Sequence, residues 1–230
     1  MDVNITLTNH SFLHLLQLSN SNLPVGAYSY SEGLETLIDD GVINTSESLE
    51  KWLLAELNYG AISMETGVML RSYNCTIKDE LDTITYWNRW LSATRETEEM
   101  RISSHQMGGS LLRLLEKMQP QILSVTQNIS KPCNYAIAFG IAAARWEIHT
   151  QAATIAYLHS WVNNLILAGI KLIPLGQTTG QQLLLSLQPS IIKTASKILN
   201  LNDDELECCN WGVSLASMRH EIQYTRLFRS

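Results

Sequence analysis

The 230-residue sequence contains few charged residues, prolines and cysteines, and each shortage excludes a class of protein. Charged residues make up 17% of the chain and hydrophobic residues 45%, which excludes an intrinsically disordered protein, since such chains are richer in charge and poorer in apolar side chains. With only 5 prolines and 12 glycines, the chain has room for long helices. The 4 cysteines form no CxxC pair, which argues against a small secreted fold built on disulfides.

Signals for export and for membrane insertion are also lacking. No basic segment precedes an apolar run at the start of the chain, so no secretory signal is predicted. Three windows are free of charge, at residues 3–31, 148–170 and 172–192, but the second contains histidines and asparagines and the third several glutamines and two prolines. Such composition does not predict a membrane span. We expect a cytoplasmic protein in which these windows are buried, either in the core or against a partner.

Basic residues are scarce in the first third of the chain. Residues 1–70 contain nine acidic side chains against Lys51 alone, a net charge of −8 within a total of −6. No basic stripe is present to neutralise phosphates, which argues against a nucleic-acid partner. The acidic third is suited to steering a basic protein partner or, alternatively, to serving as a solvated face.

Apolar side chains recur at helical spacing almost throughout the chain. The pattern predicts one all-α domain over residues 1–230, with roughly ten helices, no sheet, no linker and no internal repeat. The first helix is predicted to place His10 and His14 on a polar face, and Asn44 with Glu47 is spaced as a capping pair. Prolines fall between the predicted helices as breaks, Pro189 among them. The predicted helices span 10–19, 32–39, 44–71, 78–91, 96–118, 121–128, 135–145, 152–172, 180–187, 190–199 and 213–228.

Patterns that would carry catalysis or metal binding are incomplete. His10 and His14 have metal-ligand spacing but no third ligand nearby, so a solvated pair is the simpler interpretation. Adjacent Cys208 and Cys209 point in different directions on a helix. The pair His220-Glu221 lacks the second histidine of a zinc protease, because Tyr224 occupies that position. The sequence therefore predicts no enzyme, no cofactor and no resident metal.

Three uncommon segments remain, and each has a structural and a functional interpretation. Residues 23–35 (LPVGAYSYSEGLE) combine a turn with two tyrosines, which could simply pack in the core. Residues 172–182 (LIPLGQTTGQQ) end a helix in an uncharged polar turn, whose glutamines could cap helix ends. Residues 217–230 (SMRHEIQYTRLFRS) alternate arginine with aromatic and apolar residues, as interface hot spots do, or form a last helix packed on its own domain.

Together these segments resemble the UreF family of urease accessory proteins, in the same order and over nearly the whole chain. The match comprises an amino-terminal motif, a central loop and a carboxy-terminal signature. Ala27 and Tyr28 replace a common Gly-aromatic pair, Asn134 stands where the family often has His, and Lys171 where it has Arg. The residues expected to form structural loops in the first two segments are Pro24, Gly26, Pro174, Gly176 and Gln177.

The resemblance implies an all-α homodimer with a non-catalytic role in loading nickel into apo-urease. Such proteins bind UreD (also called UreH) and, through the joint complex, recruit the GTPase UreG. By this analogy the amino-terminal motif faces UreG, and the last residues dock to UreD or order on binding it. The implied partner-binding residues are Tyr28, Ser29, Tyr30, Glu32, Gly33, Arg219, His220, Glu221, Tyr224, Arg226, Leu227, Phe228 and Arg229.

Two alternatives keep the family and change the role. The first is a GTPase-activating or gating protein that supplies Arg219, Arg226 or Arg229 to the nucleotide of UreG. The second is a nickel carrier that uses the histidines of the first helix or the cysteine pair.

Overall fold

The computed structural model describes residues 7–208 and 211–229. Within these residues the helical periodicity of the sequence corresponds to eleven α-helices. No strand occurs among these residues, and the all-α prediction is confirmed. Single 3₁₀ turns lie at Ala27–Ser29, Pro120–Ile122 and Asp203–Glu205. The helices are α1 (Asn9–Leu18), α2 (Leu34–Asp39), α3 (Ser46–Tyr59), α4 (Ala61–Lys78), α5 (Leu81–Thr94), α6 (Glu98–Met118), α7 (Leu123–Thr126), α8 (Tyr135–Arg145), α9 (Thr150–Leu172), α10 (Gln177–Ile198) and α11 (Trp211–His220).

Helix α8 forms the centre of the core. It is apolar on nearly every side and buried along almost its whole length, with α4 and α6 packed against it. A helix without a polar face needs neighbours all round, and small residues let them approach closely. At Gly140 the backbone of α4 comes so near that a Cβ atom would overlap the carbonyl oxygen of Met69. Alanine and glycine in α8 therefore set the distance between the central helices.

The charge-free window at 148–170 forms α9, which packs on α10 and α2 and buries side chains such as Val162 and Leu165. The window at 172–192 belongs mostly to α10 and is only partly covered, since Leu185 and Ile192 are exposed. No described helix combines the length and apolar character that crossing a bilayer requires.

Two predicted helix breaks were misplaced. The helix predicted over 44–71 is two helices, because Gly60 adopts an extended conformation that ends α3 and starts α4. Conversely, α10 continues through Pro189, where a break was predicted. Pro189 and Leu185 lie on the exposed side of α10, so water can reach the Leu185 carbonyl oxygen that loses its backbone partner.

The first helix also differs from its prediction. The apolar side chains of Phe12, Leu13 and Leu16 on this helix are about half exposed rather than buried. His14, expected in water, stacks on Trp146 with 4.7 Å between ring centroids, and its Nδ1 atom is buried without a partner among the residues that the structure describes. The interpretation as a solvated pair is wrong for His14, because its imidazole ring packs against the indole ring of Trp146.

The ends of several other helices also differ from their predictions. Helix α2 begins at Leu34 rather than at residue 32, because the two preceding residues have left-handed backbone conformations. The cap of α3 pairs Thr45 with Ser48 instead of Asn44 with Glu47. Helix α11 ends at His220 rather than at residue 228, and the chain continues as turns.

Candidate functional site

Two of the three uncommon segments pack against each other. We call the contact between residues 26–35 and residues 213–229 the motif junction. At its centre Gly33 has φ +81°, and a Cβ atom there would lie 3.2 Å from both Ala216 Cβ and the Ser217 nitrogen. A left-handed conformation and so close an approach both favour glycine. Gly33 thus allows α11 to rest on the start of α2.

Glu35 holds the last residues of the chain at the junction. Its buried carboxylate accepts hydrogen bonds from the backbone N–H of Leu227 at 2.6 Å and of Phe228 at 2.9 Å. The Nε2 atom of His220 lies 3.1 Å from the same carboxylate. A buried carboxylate that accepts several hydrogen bonds orders the groups that donate them. The end of the chain is therefore fixed by a side chain of α2.

His220 extends this network to α6. Its ring is fully buried, and Nδ1 lies 2.9 Å from a carboxylate oxygen of Glu99. Both ring nitrogens thus face carboxylate oxygens, one of Glu35 and one of Glu99. Burial raises the pKa of Glu99, while the His220 ring opposes that rise. Arg226 adds a guanidinium group, which lies 3.1 Å from Glu99.

Further contacts bind the edges of the junction. The backbone N–H of Arg229 donates to the carbonyl oxygen of Ser29 at 2.8 Å. The ring of Phe228 is buried, and the Lys171 ammonium lies 5.4 Å from its centroid. An exposed ion pair joins Arg219 to Asp40 at 2.9 Å. In this structure the carboxy-terminal segment is packed on its own chain, as the structural interpretation of that segment expected.

The outer side of the junction is apolar. Trp211, Leu215, Met218 and Ile222 follow one another at spacings of four, three and four residues, and all are exposed, Trp211 by 77% and Ile222 by 86%. We call these four side chains the outer stripe. Trp211, Leu215 and Met218 share one face of α11, since spacings of four and three residues bring side chains to the same side of a helix. Ile222 lies two residues beyond the end of α11, and all four side chains are open to solvent.

The predicted partner-binding residues divide between the surface and the interior. Tyr28 and Leu227 are largely exposed, and Glu221, Tyr224 and Arg226 are open to solvent as well. Tyr30, by contrast, is buried and donates its hydroxyl hydrogen to Gln106 at 2.5 Å. Burial raises the pKa of Tyr30, and the Arg229 guanidinium partly opposes this. The motif thus presents one tyrosine and buries the other.

Glu32 turns inward to a small cavity of about 80 Å³. Its carboxylate accepts from Trp161 Nε1 at 2.9 Å, and Glu65 and Arg95, which form an almost fully buried ion pair, line the same cavity. Burial and then the Glu65 charge raise the pKa of Glu32 to about 7, against the lowering effects of Trp161 and Arg95. The cavity therefore holds a carboxyl group that titrates near neutral pH.

The predicted loop residues shape turns beside the junction. Gly26 has φ +84° and precedes the 3₁₀ turn that carries Tyr28. Pro174 and Gly176 are exposed between α9 and α10, and Gln177 is the first residue of α10. This second loop begins three residues after Lys171, whose ammonium lies over Phe228, so it is close to the end of the chain.

Several residues of the site were not selected from the sequence. Glu35 belongs to the quoted motif, but its role depends on residues almost the whole chain away. Glu65 and Glu99 lie at ordinary helical positions, Arg95 lies just after the end of α5, and none of the three carries a local signal. Among the described residues no three His, Cys, Asp or Glu side chains converge as metal ligands, and Cys209 of the cysteine pair lies outside them.

Fold and junction together define an all-α protein whose amino- and carboxy-terminal motifs form one surface. The UreF family model matches residues 43–188. The urease accessory protein UreF of Trichormus variabilis is 64% identical over 226 residues, covering 98% of this chain and 99% of that protein. Its counterpart in a Nostoc species is 63% identical over 225 residues, covering 98% of each chain, and that of Alkalilimnicola ehrlichii is 37% identical over 217 residues, covering 94% of each. The chain belongs to the UreF family, which confirms the resemblance drawn from its motifs.

Proposed function

We propose that this protein is a non-catalytic chaperone of urease maturation. It acts as a homodimer that binds UreD (UreH) and the GTPase UreG, and the complex delivers nickel to apo-urease. The observation that carries the proposal is the near-full-length identity to proteins named urease accessory protein UreF. An assembly protein needs exposed surfaces of distinct chemistry, and the motif junction offers two.

The first surface is the outer stripe with the exposed side chains after it, and we assign it to UreD. Tyr224 is fully exposed and Leu227 is 64% exposed, so apolar surface continues beyond α11. Exposed apolar surface of this kind favours a protein interface. The backbone beneath it is already held by Glu35, so binding requires little further ordering of the chain.

The second surface comprises the exposed Tyr28 and the exposed acidic side chains of the first third of the chain, and we assign it to UreG. Asp39, Asp40 and Glu47 are among these acidic side chains, and residues 1–70 carry a net charge of −8. Exposed acidic side chains favour a partner with basic residues, because opposite charges speed encounter and fix orientation. The salt dependence of UreG binding distinguishes this surface from the apolar one.

One observation favours a second role, the stimulation of GTP hydrolysis by an arginine. Arg219 and Arg226 are paired with Asp40 and Glu99, whereas Arg229 is exposed and has no carboxylate partner among the described residues. Of the three candidates, Arg229 alone can reach another molecule without breaking an ion pair. The GTPase rate of UreG with wild type and with Arg229→Ala tests this role. The nickel-carrier alternative gains no such support, because His14 packs on Trp146.

Co-expression with UreD and UreG, followed by light scattering of the purified complex, tests the assembly role. The test variant is Leu215→Arg with Ile222→Arg, and its matched control is Leu185→Arg with Ile192→Arg, which places the same charges on exposed apolar positions of α10. We expect a complex with two copies of this chain, lost in the test variant and kept in the control. If both variants bind UreD like wild type, the outer stripe is not its docking face. If wild type stays alone with both partners present, the assembly role is wrong.

A further inference from the structure

A second pocket, of about 410 Å³, lies between α5, α6 and the segment that precedes α8. Three of its lining side chains are basic or imidazole groups, from Arg89, His105 and Lys131, and two are the hydroxyls of Ser92 and Ser130. No carboxylate lines it among the described residues. Arg89 and Lys131 are exposed, and within the same part of the chain neither forms an ion pair. In a protein of net charge −6, the pocket is thus lined by two cations without ion pairs and by a histidine.

The wall of the pocket is held by a buried amide. Asn88 Nδ2 donates to the carbonyl oxygens of Ser130 and Pro132, both at 2.9 Å, and lies 3.1 Å from the Ser130 hydroxyl oxygen. Since that hydroxyl oxygen is the acceptor, its own hydrogen is available to a ligand. The segment that carries Lys131 is therefore fixed before any ligand arrives, which lowers the cost of binding.

His105 is oriented by the same network. The Ser92 hydroxyl donates to the Asn88 carbonyl at 2.9 Å and accepts from Asn134 Nδ2 at 2.8 Å. Because Ser92 has a single hydrogen, its 2.9 Å contact with His105 Nε2 places the proton on that nitrogen. The Nδ1 atom then has no partner among the described residues. On protonation Nδ1 becomes a second donor on a residue that lines the pocket.

The electrostatic environment makes this protonation depend on a bound anion. Burial lowers the pKa of His105, and the charges of Arg101 and Arg95 lower it further. Among the described residues no carboxylate raises the pKa of His105. An anion in the pocket would provide the missing negative charge, so binding and protonation favour each other.

We propose that this pocket binds a tetrahedral dianion of the phosphate class, either free phosphate or a phosphate monoester. Arg89 and Lys131 supply two permanent charges, the Ser130 hydroxyl supplies a hydrogen bond, and His105 supplies a third charge once protonated. These charges and donors are more than a single carboxylate ligand needs. They match the double negative charge and the several acceptor oxygens of a phosphate group. The site is separate from the motif junction and does not depend on the proposed role in urease maturation.

Sulfate is the first probe, because its charge stays constant over the pH range in which His105 titrates. In the full chain, at ionic strength held constant with chloride, the NMR signals of His105 are followed during titration with sulfate and, separately, acetate. We expect saturable shifts with sulfate, a higher His105 pKa at saturation, and weaker sulfate binding at pH 8 than at pH 6. Acetate should bind at least tenfold more weakly. Inorganic and phenyl phosphate then separate the two sources, since the tighter ligand identifies free phosphate or a monoester.

The test variant Arg89→Met with Lys131→Met removes the two exposed cations. Its matched control, Lys193→Met with Lys197→Met, removes two exposed cations from α10 and changes the net charge equally. We expect at least a tenfold loss of sulfate affinity in the test variant and less than a twofold change in the control. Equal losses in the two variants, acetate binding as tight as sulfate binding, or no saturable His105 shift in 50 mM sulfate would each overturn the proposal.

Discussion

The carboxylate of Glu35 accepts a hydrogen bond from the backbone N–H of Phe228, 193 positions further along the chain. This bond joins the two ends of the UreF sequence signature into one structure. The surface proposed for UreG and the surface proposed for UreD therefore share a buried network, through Glu35, His220 and Glu99. A change in that network is expected to affect both surfaces together.

Replacing Glu35 with Gln should release the end of the chain. The glutamine amide keeps one acceptor oxygen but carries no charge. Its NH₂ group replaces the second carboxylate oxygen, so a donor faces a backbone N–H that needs an acceptor. Disrupting a buried charged network of this kind costs about 2–4 kcal/mol of unfolding free energy. We expect faster cleavage by trypsin after Arg226 and Arg229, followed by mass spectrometry, and a lower urea midpoint.

Glu98→Gln is the matched control for this change, because Glu98 is exposed at the start of α6 and its side chain forms no hydrogen bond or ion pair with the described residues. It should leave both the cleavage rate and the urea midpoint within error of wild type. Unchanged cleavage in Glu35→Gln would mean that other contacts, such as the Arg229–Ser29 bond, suffice to hold the segment.

Gly33→Ala tests the close approach of α11 to α2. Alanine there meets an unfavourable left-handed backbone and a 3.2 Å contact with Ala216. Gly41 has φ +72° with no atom within 4 Å of its Cβ position, so Gly41→Ala isolates the backbone cost, about 1 kcal/mol. We expect Gly33→Ala to lose about 1–3 kcal/mol more in urea unfolding. Equal losses would show that α11 shifts freely to accommodate the methyl group.

The carboxyl of Glu32 should make stability fall as pH rises from about 5 to 7. Its pKa is about 7 in the folded protein against 4.5 as the ordinary value, so within this window the folded state keeps a proton that the unfolded state has released. Stability decreases with pH wherever the folded state binds more protons. The loss attributable to Glu32 is about 1–3 kcal/mol and is complete once the pH passes the folded pKa.

Glu32→Gln isolates this effect, since glutamine mimics the protonated carboxyl at every pH. We expect urea unfolding at pH 5, 6, 7 and 8 to show that the unfolding free energy of the variant rises relative to that of wild type up to about pH 7. Above pH 7 the difference between the two proteins should stay constant. Other titrating groups, including Glu99 and His105, are present in both proteins and cancel in the difference. A difference that does not change with pH would place the pKa of Glu32 near its ordinary value.

Helical content could be predicted from the sequence because it depends on local periodicity. Helix α8 was predicted at its observed bounds, and α6 and α9 were within two residues at each end. The motif junction could not be predicted in the same way. Its central bonds join Glu35 on α2 and Glu99 on α6 to His220 and to backbone groups beyond α11, and no pattern within a few residues of any of them indicates the others.

The errors have a common physical cause, the tertiary surroundings of a residue. Phe12 and Leu16 follow a helical period, but little of the chain packs over them, so they remain exposed. His14 is polar, yet a neighbouring indole ring gives it a packing surface. Periodicity identifies which side chains share a face, and only the neighbouring helices decide whether that face is covered.

Pro189→Ala tests the continuity of α10 through its proline. Alanine restores a backbone donor for the Leu185 carbonyl and removes the steric conflict of the ring in the preceding turn. Because the packed face of α10 lies on the other side, with Leu187 and Ile191 buried, the gain should not be offset by lost contacts. We expect an increase of about 1–3 kcal/mol in unfolding free energy. Pro174→Ala, in the exposed loop before α10, should show no such gain, and a loss of stability in Pro189→Ala would mean that the proline fixes a bend on which the packing of α10 depends.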